Sequence, residues 1–70
     1  MVVNVYNVNQ CLIGTIVLQE LTGRVVVSDG VSGLAKKILG DVDRSDKKAV
    51  KQALEVASNF SDENIEIVVF

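Results

Sequence analysis

Apolar and polar residues recur on two different periods along this chain, and the change of period divides it near its middle. From Val2 to Val8, β-branched and aromatic residues are interspersed with asparagines, and Cys11 to Gln19 (CLIGTIVLQ) is a second β-rich run. Asn7-Val8-Asn9-Gln10 separates the two as a turn. Glu20-Leu21-Thr22-Gly23 predicts another turn, in which Gly23 is free to take the positive φ of a four-residue hairpin loop, and Arg24 to Ser28 is a third strand. The first half therefore predicts a three-stranded meander.

After Ser28 the period lengthens from 2 to 3.6. Val31, Leu34, Ala35, Ile38 and Leu39 fall on one stripe, which predicts a helix over 31–39, capped by Asp29 or Ser32 and ended by Gly40 in a left-handed conformation. A polar connector, Asp41 to Ser45, leads to a second helix predicted over 46–60, with Val50, Ala53, Leu54, Ala57 and Phe60 on its apolar face. Asp43 with Asp46, or Ser45 alone, supplies its cap. Ala49, Ala53 and Ala57 form a small-residue stripe that lets another backbone come close. Ile65 to Phe70 (IEIVVF) is a last strand. The order β-β-β-α-α-β predicts a single α+β domain over 1–70, with an antiparallel meander sheet and two helices packed on one face. Leu34, Ile38, Val50, Leu54 and Ile67 are its expected core.

A sheet covered on one face and wet on the other alternates apolar and polar residues. These strands do not. Leu12, Ile16 and Leu18 are expected to point one way and Cys11, Ile13 and Val17 the other; Val25 and Val27 oppose Val26, and Ile65, Ile67 and Val69 oppose Glu66, Val68 and Phe70. Two short helices cannot cover both faces. The second face is expected to meet another copy of the chain, with Val26, Val68 and Phe70 in the interface.

Composition narrows the chemistry. With 70 residues, 49% hydrophobic, and 14 valines, the chain lies far from the disordered class. Area scaling buries only about 60% of the surface of so short a chain, which leaves a small core that gains from association. One cysteine and no histidine exclude an intrachain disulfide framework, cysteine or imidazole metal sites, and Ser-His or Cys-His catalytic pairs. No cofactor or metal is implied. Cys11 is expected to be a small buried hydrophobe in a reducing cytosol. The longest uninterrupted apolar run, Ile67 to Phe70, has four residues, too short for a signal peptide or membrane span.

Charge is unevenly placed. Six of the seven cations, Lys36, Lys37, Arg44, Lys47, Lys48 and Lys51, lie between residues 36 and 51, while residues 52–70 carry four acids and no cation. The basic cluster is expected to face a partner. Its negative surroundings, its single arginine and its lack of aromatics favour a protein over a nucleic acid. Asp41-Val-Asp43-Arg-Ser45 has the start of a calcium loop but Asp46 where the turn glycine belongs and Gln52 where the bidentate glutamate belongs. Gly30-Val-Ser-Gly33 lacks the full spacing of a phosphate-binding loop. The resulting expectation is a non-enzymatic cytosolic interaction module acting as a small homo-oligomer. The alternatives are a nucleic-acid or phosphate binder using the basic helix pair, and a small enzyme with a site between subunits.

Overall fold

β-Branched side chains restrict χ1 and fit the pleated backbone, and the valine-rich stretch from Val2 to Val27 forms three extended strands joined by turns. The computed structural model describes residues 1–70, with strands β1 (Val2–Asn7), β2 (Leu12–Gln19) and β3 (Arg24–Val27). A 3-10 turn, Asp29–Val31, leads into α1 (Ser32–Leu39); α2 (Lys47–Glu55) and a second 3-10 turn, Ala57–Phe60, precede β4 (Ile65–Val69). The strands form one antiparallel sheet in the order β3-β2-β1-β4. The meander is followed by a return of the last strand to the open side of the first, so the fold is α+β.

The helices lie on one face of this sheet. Val3 and Val5 of β1, Ile16 and Leu18 of β2 and Ile67 of β4 are buried with Val31, Ala35, Ile38, Leu39, Val50, Leu54 and Ala57 in one apolar cluster, and no polar or charged residue is buried. Four of the five expected core residues belong to it. Leu34 is only half-buried and packs on its margin.

Gly23 fits the turn predicted for it, whereas Gly40 has a positive φ but, with ψ −127°, not the left-handed conformation expected. Gly23 has φ 74° and donates its N–H to Gln19 O at 2.7 Å; Gly40 has φ 54° and donates to Lys36 O at 2.9 Å, closing α1. A third is needed for space. A Cβ on Gly14 would stand 3.0 Å from Val31 Cγ1 and 3.2 Å from Ser28 Cβ, so this glycine lets the first 3-10 turn lie directly on β2.

The elements depart from expectation at their ends. Asp46, rather than Asp43 or Ser45, caps α2, its Oδ1 accepting the Ala49 N–H at 3.2 Å. Asp43 instead turns the connector, accepting the Ser45 N–H and hydroxyl. Neither Asp29 nor Ser32 caps α1 through its side chain, because the 3-10 turn ahead of the helix already takes up that segment and Ser32 Oγ donates to Asp29 O. The second helix stops at Glu55, where a tighter 3-10 turn takes over. Ala57 stays buried, but the shorter turn swings Phe60 out to 40% exposure instead of onto the apolar face. Val56, Ser58 and Asn59 are weak helix formers, and i to i+3 bonds such as Asn59 N to Val56 O replace the α ladder.

Candidate functional site

Strand alternation decides which side chains leave the core, and the register decides which of them become neighbours. Val17 pairs with Val26 and Val2 with Val17. Val2 and Phe70 exchange both main-chain hydrogen bonds, at 2.8 and 3.4 Å. Val26, Val17, Val2 and Phe70 therefore form an apolar row across all four strands on the face away from the helices. Val26 is 42% exposed and Phe70 68% exposed. A second row, Ser28, Thr15, Asn4 and Val68, is mostly polar, and a third aligns Leu12, Tyr6 and Glu66.

The three residues expected at an oligomer interface, Val26, Val68 and Phe70, are thus gathered on this one uncovered face. Leu12 joins them against expectation. Between Val5 and Tyr6 the register slips by one residue: Val5 faces Gly14 but Tyr6 faces Leu12. This bulge at Ile13 moves Leu12 from the core side to the outer face, where it is 55% exposed. The signal was Gly14 itself, since an isolated glycine inside a strand often marks a bulge.

The polar middle row is held by its own bonds. Ser28 Oγ accepts the Thr15 N–H at 3.0 Å and donates to Thr15 O at 3.1 Å, while Asn4 Nδ2 donates to Tyr6 Oη at 3.2 Å. These groups fix strand ends and ring position and leave no buried polar side-chain atom unpartnered. Tyr6, Gln10, Glu66 and Val68 line a shallow depression at one margin of the face.

The basic cluster is divided by the fold. Lys47 Nζ donates to Glu20 O, and Lys51 Nζ lies 3.2 Å from Glu20 Oε1, so both lysines tie α2 to the turn between β2 and β3. The hydrogen bond and charge of Lys51 hold the Glu20 carboxyl below its ordinary value. Asp43 is likewise lowered, by the Ser45 backbone N–H and hydroxyl. Lys36, Lys37, Arg44 and Lys48 are exposed and form no ion pair, because the Lys51–Glu20 contact is the only one in the chain.

Cys11 is exposed rather than buried, a correction to the sequence reading. Its main chain closes the turn between β1 and β2, accepting from Asn7 N at 2.9 Å and donating to Asn7 Oδ1 at 3.0 Å, which places the thiol outside the sheet. The Gly30-Val-Ser-Gly33 segment is a packed strand-to-helix turn in which a Cβ on Gly30 would stand 3.0 Å from Ile13 O. No helix is long and apolar enough to cross a membrane. Neither a known family model, nor a curated protein, nor a solved structure matches the chain.

Proposed function

We propose that this chain is a non-enzymatic cytosolic interaction module that self-associates through its sheet and presents basic helix ends to a second protein. The observation that carries the reading is the uncovered row Val26–Val17–Val2–Phe70, with Val68 beside it. Apolar side chains scattered singly on a surface are ordinary. Aligned across all the strands of a sheet, they form a contiguous patch of the kind that marks protein contact sites. The unpaired, exposed thiol of Cys11 supports a reducing compartment.

Sedimentation over a hundredfold concentration range around the micromolar level tests the reading. The expected result is a mass at least twice 7.5 kDa; a monomer throughout refutes it. Val26→Asp, which places a charge in the apolar row, should dissociate the assembly while leaving the far-UV spectrum intact.

The unpaired cations of the 36–51 cluster, Lys36, Lys37, Arg44 and Lys48, favour a second reading, in which the helix pair holds a phosphate or a nucleic acid. Retention on a nucleic-acid column at low salt, lost steeply as salt rises and abolished by reversing these charges, is its signature. Capture of a protein that survives at physiological salt and weakens on the same reversal supports the first reading.

A further inference from the structure

The two edges of the sheet are finished differently. In β4, alternation directs the N–H and C=O groups of Ile65, Ile67 and Val69 away from β1, and the preceding turn caps the first of them: Ile65 N donates to Asp62 Oδ1 at 3.0 Å, Asp62 N to Ile65 O at 3.1 Å, and Ile67 N to Ser61 Oγ at 2.9 Å. That edge is blunted. In β3, Ser28 donates its N–H to Thr15 O, and the register Val17↔Val26 and Gln19↔Arg24 continues the same set of bonds, so Val25 and Val27 turn their N–H and C=O groups away from β2. The 3-10 turn that follows lies over Ile13 and Gly14 of β2 and so leaves the outer side of β3 uncovered. Arg24-Val25-Val26-Val27 is short and begins with a charge, but it has no lysine, no proline and no bulge, and its two outward residues are both valine.

We infer that β3 pairs antiparallel with β3 of a second copy about a two-fold axis through Val26, joining two four-stranded sheets into one of eight strands. The inference rests on the self-association proposed above and assigns its geometry. Centring the axis on Val26 sets Val25 opposite Val27 of the other copy and Val27 opposite its Val25. Every outward N–H then meets an outward C=O. Any register centred on Val25 or Val27 instead leaves some of these groups without a partner.

Two further features of the edge fit a second copy as the occupant. Arg24 at one end and Asp29 just beyond the other are both exposed and without an ion pair, and antiparallel pairing, which sets Arg24 opposite Ser28 of the other copy, brings opposite charges to each end of the seam. The outer row also becomes continuous. Val26 meets Val26 across the axis, and the row Phe70–Val2–Val17–Val26 runs on through its mirror order in the second copy. The half-buried inner-face side chains of Val25 and Val27 gain cover in the same step.

Val25→Pro removes an outward N–H without touching the ladder to β2, and Val25→Ala controls for the loss of side-chain packing. The expected result is that the proline variant, folded by circular dichroism, sediments at half the wild-type mass while the alanine variant keeps it. In wild-type protein, the amide hydrogens of Val25 and Val27 are expected to exchange more slowly as concentration rises. A Cys11→Ser, Val26→Cys double variant is expected to form a symmetric disulfide dimer on mild oxidation. A wild-type monomer overturns both this inference and the self-association on which it rests. An oligomer unaffected by Val25→Pro, whose Val25 and Val27 amides exchange alike at all concentrations, overturns the edge geometry alone and leaves the outer face as the contact.

Discussion

Alanine at position 14 and alanine at position 33 should move stability in opposite directions, and the reason lies in what each new methyl group meets. Replacing glycine by alanine where the backbone is compatible removes freedom from the unfolded chain and gains about 0.4–1 kcal/mol. Neither glycine has a positive φ, so the gain applies to both. At Gly33, on the exposed side of α1, nothing lies within 4 Å of the added Cβ. Only the gain remains there, enlarged by the helix preference for alanine, and the midpoint of thermal unfolding should rise by about 4–8 °C for about 1 kcal/mol in a domain of this size.

At Gly14 the same methyl stands 3.0 and 3.1 Å from the two Cγ atoms of Val31 and 3.2 Å from Ser28 Cβ. Val31 is buried, so it cannot swing into solvent, and Ser28 is held by three contacts to Thr15. Relief then requires the 3-10 turn to lift from β2, at the roughly 1–3 kcal/mol typical of overpacking. Set against the gain of about 0.4–1 kcal/mol, the net loss centres on about 1 kcal/mol and reaches at most about 2.6 kcal/mol, seen as a midpoint about 4–8 °C lower at the centre of that range. Thermal unfolding of the two variants beside the wild type checks both signs. A Gly14→Ala protein as stable as the wild type would show that the turn does not seat on β2 as described.

Leu54 is fully buried, and Leu54→Ala should cost about 2–5 kcal/mol out of the roughly 4–10 kcal/mol expected for a chain of this length; Leu34→Ala, at a half-buried position, should cost less in the same urea titration. Asp46→Ala removes the α2 cap and should cost about 1 kcal/mol, with Asp46→Asn retaining most of it. The Glu20 carboxyl is held below its ordinary value of 4.5 by Lys51, so its contribution is complete above that pH and is lost as pH falls through the lowered value. Urea midpoints measured from pH 7 downward should therefore fall less steeply for Glu20→Gln than for wild type; equal slopes would remove Glu20 as a contributor.

The elements were legible wherever pattern alone decides them. The shift from alternating to helical periodicity after Ser28 located both helices, and Gly23 and Gly40 marked their turns because only glycine takes positive φ at little cost. The uncovered face was legible for the same reason: strands apolar on both sides cannot be satisfied by helices on one. What pattern missed depends on contacts distant in sequence. The bulge at Ile13 reassigns Leu12 through pairing with Tyr6, and Glu20 captures Lys47 and Lys51 from a turn some thirty residues away, splitting a basic cluster that reads as one run. Hydrophobicity alone places Cys11 inside, whereas the Asn7 side chain closes a turn that leaves it exposed.

The turn at Ser61–Asn64 bears on how large an assembly built from this sheet can become. A strand-to-strand contact on both margins would leave every added copy with a fresh margin to extend, which is the geometry of a growing fibre. Here the hydroxyl of Ser61 and the carboxylate of Asp62 occupy the main-chain groups at which a newcomer would begin to pair on the β4 side. On the edge geometry inferred above, addition at the β4 side would be hindered at its first residues, so a chain rich in valine could leave β3 open without polymerising. Ser61→Ala combined with Asp62→Ala would free those groups and convert a terminating unit into an extendable one.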